Sequence, residues 1–315
     1  MTSPLLNLTI FELITALVCT AATMAVALFY LRRVRMERPA IGRFNGRDVV
    51  VLFAFLVALP TLYLLLPQWA LTGFLALTFV ASLSIGLRPL LSRGPMWLVI
   101  GLLIGLNIWL ARTMLGTVWG WQVFWVENSL IVLLGAVSVA NLYVQGGMHL
   151  RHVAWFALVL AGYDLIFTTV VPVTNDLAEH FIGFPLDPSM GFRLGFDNSS
   201  IGLGDLLVYA LFAIAAFKAY GRAAARFAMG LIIVFGVAMP ALAPLLINSI
   251  DARADVLVPA QTWFGPFAFL GYVWLRRRYG RERTMREFLA GNDIVRPREE
   301  RAPRREPVAE PAGVN

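Results

Sequence analysis

Apolar runs of about twenty residues recur from one end of the chain to the other, separated by short polar connections. Runs of that length match the hydrocarbon core of a bilayer, about 30 Å thick, at a helical rise of about 1.5 Å per residue. The pattern predicts about nine membrane-crossing helices, at 9–31, 48–66, 69–88, 95–115, 121–144, 151–172, 199–219, 225–247 and 258–275. Residues 279–315 break the pattern. They are rich in Arg, Glu and Pro, lack apolar periodicity, and are expected to form a disordered tail. The expected class is therefore an all-α polytopic membrane protein. It divides into a five-helix portion at 1–150, a four-helix portion at 151–278 and the tail at 279–315.

Composition agrees. The chain is 59% hydrophobic and 14% charged, where a soluble globule carries about 25% charged residues. Mean hydropathy is +0.72. A net charge of +7 would suit a nucleic-acid binder, but the positive residues lie in connections and tail, where membrane orientation accounts for them. Arg32, Arg33, Arg35, Arg38, Arg43 and Arg47 crowd the first connection. Arg88 and Arg93 fall in the third, Arg151 in the fifth, and Lys218, Arg222 and Arg226 in the seventh. The tail opens with Arg276, Arg277 and Arg278, while the alternate connections are poor in positive charge. The expected protein of the cell membrane has its N-terminus outside and its C-terminus in the cytoplasm. With no basic residue before it and many after, the first run is expected to be a retained anchor and not a cleaved signal. Cys19 is the only cysteine, which excludes a disulfide within the chain and thiolate metal sites.

Two carboxylates stand out because of where they lie. Asp164 falls in the sixth crossing and Asp205 in the seventh. A carboxylate inside a membrane helix costs roughly 2.5–3.5 kcal/mol on insertion, and so points to function. The sixth crossing runs outward, with Asp164 about 12 Å before its end; the seventh runs inward, with Asp205 about 9 Å after its start. The two side chains can thus share one level in the outer half of the membrane. At contact distance two carboxylates do not both ionise cheaply, so they share a proton, one serving as base and the other as acid. Two chemistries use such a pair: activation of a water for peptide hydrolysis, and proton relay in a coupled transporter.

The surroundings of the aspartates carry a resemblance. Tyr163-Asp164 on one crossing and Gly202-Leu203-Gly204-Asp205 on the next resemble the presenilin and signal peptide peptidase family of intramembrane aspartyl proteases. Tyr209, one turn after Asp205, matches an aromatic found there in presenilins, and Phe192-Arg193-Leu194-Gly195 is similar to their strand-like lead-in. The motif-bearing part is about 155–275; the first half matches only in its number of crossings. Prepilin peptidases also carry a Gly-x-Gly-Asp but lack a Tyr-Asp one crossing earlier. The resemblance implies a presenilin-like fold and an intramembrane aspartyl endopeptidase with Asp164 and Asp205 as catalytic dyad. The orientation is that of the signal peptide peptidase branch, so substrates are expected to be transmembrane peptides or remnant signal peptides with cytoplasmic N-termini. The glycines beside Asp205 let a neighbouring helix or an extended peptide approach the backbone. Tyr163 serves either as a hydrogen-bonding partner near the dyad or as packing.

The family has a third motif, Pro-Ala-Leu, at the start of its ninth helix, where it shapes the active site and helps hold substrate. Two stretches compete for it here. Pro240-Ala241-Leu242 matches every letter but falls inside the eighth crossing. Pro259-Ala260-Gln261 departs in its last residue but opens the ninth, and Gly265 and Gly271 follow it at a spacing that suits close packing. Topology favours 259–261. No long soluble insertion separates the aspartates, which departs from presenilins, so self-cleavage in that loop is not implied.

The remaining polar residues carry less. The 173–198 loop, acidic and rich in Gly and Pro, is either a folded external loop or a flap that orders around substrate. Asn107, Glu127 and Asn128 suit hydrogen bonding between helices. His149 and His152 are three residues apart with no carboxylate nearby in the sequence, so no metal site is expected. There is no His-Glu-x-x-His and no Gly-x-Ser-x-Gly. No cofactor is implied, and the oligomeric state stays open.

Overall fold

The computed structural model describes residues 4–36, 50, 51, 54, 58, 63, 65–169, 181–194, 197–250 and 259–291. The expected second crossing at 48–66, the start of the 173–198 loop and most of the tail lie largely outside them. Helices α1 (Pro4–Arg33), α2 (Gln68–Leu87), α3 (Arg93–Thr113), α4 (Val118–Gln145) and α5 (Leu150–Thr169) come first. Strands β1 (Ser189–Leu194) and β2 (Asp197–Gly202) then form an antiparallel hairpin, Ser189 opposite Gly202 and Leu194 opposite Asp197. Next come α6 (Leu203–Tyr220), α7 (Arg222–Leu231), a π-helical segment (Ile232–Ala238), α8 (Met239–Ile250), α9 (Ala260–Tyr279) and the short α10 (Met285–Ala290). Among the described residues, seven helical spans are long and apolar enough to cross a membrane, and they coincide with seven of the expected crossings. Helix α9 occupies the ninth. Trp69, Trp97, Trp109 and Trp119 stand exposed on the helix surfaces, as aromatic residues facing lipid do.

Helix α6 is the axis of the fold. It is apolar on every side, and a helix of that kind belongs in the interior. Leu206 and every residue from Val208 to Tyr220 are buried. Ala210, Ala213, Ala215, Ala216 and Ala219 let neighbouring backbones come close, as small residues do between membrane helices. It packs on α1 and α4, and on α5, α7 and α9, so residues before and after 150 share one core. Helix α9 lies most extensively along α5. A Cβ on Gly265 would sit 2.3 Å from the Ala157 carbonyl oxygen, and one on Gly271 would sit 2.4 Å from Leu231 Cδ1. The close packing expected of this stretch is present.

Three boundaries depart from the hydropathy pattern. The seventh crossing starts at Leu203 and not at 199, because Asn198, Ser199 and Ser200 pair with Arg193, Phe192 and Gly191 in the hairpin. The eighth is not one uniform helix: a π-helical segment interrupts it just before Pro240, where the missing N–H would break a regular ladder. The tail does not begin at 279 as a disordered segment, since residues up to 291 fold back onto the basic end of the bundle. There Thr284 and Glu287 form a capping box on α10, and Phe288 packs on Phe217 at a centroid distance of 5.5 Å.

Two charged residues of this segment hold helix ends. Arg283 donates to the carbonyls of Phe217, Lys218 and Ala219 at the end of α6. Glu282 accepts from the backbone N–H groups of Leu150 (2.8 Å) and Arg151 (3.1 Å) at the start of α5. It also lies 3.3 Å from His149 Nδ1, so the carboxylate absent from the sequence neighbourhood of the histidines is supplied by the fold. Burial pushes the Glu282 carboxyl up, but the His149 ring and the two N–H groups outweigh it and hold it below its ordinary value. Buried Lys218 donates to the carbonyls of Val144 and Met148, closing the end of α4.

Candidate active site

Helices α5 and α6 pack side by side, and each contributes one aspartate. Asp164 lies in the last two turns of α5. Asp205 is the third residue of α6, nearer the helix start than the hydropathy pattern implied, because the preceding residues belong to β2. Gly202 caps the helix in an extended conformation (φ −65°, ψ 147°) and joins strand to helix without a loop. Both carboxylates are partly buried, and Tyr209 stands one turn beyond Asp205 on the same helix. Tyr163 is half-buried, its ring 4.4 Å from that of Phe167. Leu203 packs against the core. Among the described residues a Cβ on Gly204 would meet nothing within 4 Å, so the backbone beside Asp205 is open toward them.

The start of α9 reaches the same place. Pro259 caps the helix in an extended conformation, where a missing N–H leaves no bond unmade. Ala260 opens the first turn, and Gln261, 1% exposed, donates from Nε2 to Asp205 Oδ1 at 2.7 Å. Its other terminal atom, Oε1, is buried without a partner among the described residues. The fold gives the Gln261 amide N–H to Asp205 and leaves its carbonyl oxygen as an acceptor that no described residue fills. Phe264, one turn on, packs edge-to-face on Tyr209 (5.0 Å) and Phe212 (5.5 Å), which fixes α9 against α6.

The rival stretch has a different position. Pro240 follows the π-helical segment, and Leu242 is 38% exposed on the helix surface. In a regular helix the N–H of residue 240 would bond the Gly236 carbonyl. Proline has none, and the Tyr209 hydroxyl donates to that carbonyl instead, at 2.8 Å. Gly236 is required for the approach, since a Cβ there would lie 2.8 Å from Tyr209 Cζ. The segment before Pro240 thus meets α6 at Tyr209, one turn beyond Asp205.

A polar network holds the hairpin that leads into Asp205. Asn128 Nδ2 donates to the carbonyls of Asp187 (3.0 Å) and Ser189 (2.8 Å). Ser129 Oγ exchanges hydrogen bonds with the Gly191 backbone, and Gln122 Nε2 donates to the Arg193 carbonyl. Asn107 accepts from the Leu186 N–H (2.6 Å) and donates to Glu127 (2.6 Å) and Asn128 (3.1 Å). The hydrogen bonding expected between these helices is therefore present, and its second use, clamping β1, was not foreseen. A run of polar residues on α4 was the only trace of it in the sequence.

No protein-family model and no curated protein sequence matches the chain. Its fold does have solved counterparts. One is the structure of a presenilin family intramembrane aspartate protease in space group C222. It superposes with a TM-score of 0.50 at 14% identity over 86% of this chain and 99% of that one. At that identity the likeness is one of fold: this is a multi-pass helical membrane protein with a presenilin-like arrangement.

Proposed function

We propose that the chain is an intramembrane aspartyl endopeptidase with Asp164 and Asp205 as its dyad. One observation carries this: two membrane helices packed side by side each bring a partly buried carboxylate into the bundle, and one of the two is held by Gln261 from a third helix. The fold of a presenilin-family protease supports it. The Gln261 amide occupies Oδ1 of Asp205, which leaves Oδ2 to share a proton with Asp164. One carboxylate takes a proton from a water, whose oxygen attacks the substrate carbonyl carbon. The other gives its proton to the carbonyl oxygen; as the tetrahedral intermediate collapses it takes that proton back, the first carboxyl passes the water-derived proton to the leaving nitrogen, and the C–N bond breaks. Peptide bonds in a helix are shielded and already hydrogen-bonded, so the substrate unwinds locally. The open backbone at Gly204 and the strand before it offer the unwound segment an edge to pair with. With the N-terminus outside, as in the signal peptide peptidase branch, the preferred substrates are transmembrane segments with cytoplasmic N-termini.

The test is incubation of purified protein with a labelled single-span peptide. Cleavage is expected, and Asp164→Asn or Asp205→Asn should each abolish it while leaving the protein folded and inserted. A hydroxyl-bearing transition-state isostere should inhibit. Full activity in either variant would overturn the assignment. Solute uptake by proteoliposomes, dependent on both aspartates and without cleavage, would transfer the pair to a transporter.

A further inference from the structure

Away from the aspartates, at the arginine-rich end of the bundle, α1 and α7 line an open cavity of about 480 Å³ with Leu28, Arg32, Arg222, Ala225, Arg226 and Met229. The α7 residues stand at positions i, i+3, i+4 and i+7, which form one continuous face of the helix. Leu28 and Arg32 are likewise one turn apart on α1. Arg32 and Arg222 lie at the end where α1 finishes and α7 begins, and Arg226 follows one turn, about 6 Å, deeper; Leu28 lies about 6 Å deeper than Arg32, and Met229 about 10 Å deeper than Arg222, at 1.5 Å per residue. Both helices thus end their lining in an apolar side chain. Among the described residues no carboxylate lines the cavity. The Arg32 guanidinium packs over the Phe217 ring at 4.5 Å, which ties it to α6 at the cavity mouth.

From this geometry we infer a binding site for one anionic phospholipid of the arginine-side leaflet. Its phosphate sits among Arg32, Arg222 and Arg226, and an acyl chain runs down past Ala225, Leu28 and Met229. Guanidinium groups match phosphate oxygens in geometry and charge. A free anion would use the mouth alone, with no need for the apolar walls beneath it. A zwitterionic lipid would fill the walls but gain little from three cations. The cavity's combination of the two selects a lipid with net negative charge.

Native mass spectrometry of the purified protein titrated with dioleoyl phosphatidylglycerol or dioleoyl phosphatidylcholine tests this. Phosphatidylglycerol should bind more tightly. Arg222→Gln and Arg226→Gln should each weaken it by about fivefold, the equivalent of about 1 kcal/mol per basic residue at an anionic surface. Arg277→Gln, an exposed arginine on α9, should leave binding unchanged. Leu28→Trp, which fills the apolar end and keeps all three charges, should weaken binding too, and serves independently if the arginine variants fold poorly. Equal binding of the two lipids, equal losses at Arg277, unaltered binding in folded Arg222 and Arg226 variants or in Leu28→Trp, or displacement by inorganic phosphate at matching concentration would each overturn the site.

Discussion

Gln261 is the residue on which the proposed chemistry can be tested most sharply. Its amide is the one hydrogen-bond donor that a distant helix brings to Asp205 among the described residues. A hydrogen bond to a charged group is worth about 1.5–3 kcal/mol, so Gln261→Ala should lower peptide cleavage by about ten- to a hundredfold with expression unchanged. Pro240→Ala should cost less. It supplies an N–H that competes with Tyr209 for the Gly236 carbonyl, and so should act through the same link as Tyr209→Phe. Kinetics of the two single variants and the double should be non-additive, the double losing no more than the worse single. If Pro240 and Leu242 substitutions eliminate cleavage while those at 259–261 are silent, the third motif belongs at 240–242.

At the scale of elements, the hairpin is positioned by its anchor more than by its own two strands, which are marginal alone. Asp187 sits in that anchor, 1% exposed, and accepts from Ser189 Oγ at 2.7 Å. Burial pushes its carboxyl up to about 7, against the pull of the Ser189 side chain and backbone and the Gly183 N–H. A carboxyl raised in the folded state contributes stability in full below its ordinary value of 3.8 and loses it as pH rises through about 7. Asp187→Asn should therefore flatten the fall in thermal stability between about pH 4 and pH 7. An unchanged slope in detergent-solubilised protein would place that dependence elsewhere. The α5–α9 contact gives a second test. Gly265→Ala would drive a methyl to 2.3 Å from the Ala157 carbonyl oxygen and should cost about 1–3 kcal/mol, read as a lower melting temperature.

For the whole molecule, orientation decides which substrates present themselves in the right direction. The arginine asymmetry predicts that cysteines at Ser3 and Asn175 react with an impermeant thiol reagent on intact cells, and that one at Ala302 does not. Cys19 is buried and should give little background. The reverse pattern would invert the topology and with it the preferred substrate direction. The folded segment after α9 adds a mechanical link, since Glu282 and Arg283 hold the ends of α5 and α6, the helices that carry the aspartates. Arg283→Ala should thus lower thermal stability more than a change at exposed Arg281, measured under the same conditions.

The sequence by itself determined most of the crossings and put one aspartate on each of two successive ones, because bilayer thickness acts on every run of about twenty residues locally. It also separated Pro259 from Pro240 by position, since a proline is tolerated at a helix start and disruptive within one. Only the tertiary structure decided what those residues touch. Gln261 and Asp205 are 56 residues apart, Leu186 and Asn107 are 79 apart, and Glu282 and Leu150 are 132 apart. Local propensity and hydropathy carry no signal over such separations. A strand of polar residues before Asp205, a Gly236 carbonyl that Pro240 leaves free for the Tyr209 hydroxyl, and a charged tail segment that closes helix ends all depend on partners supplied by packing around α6.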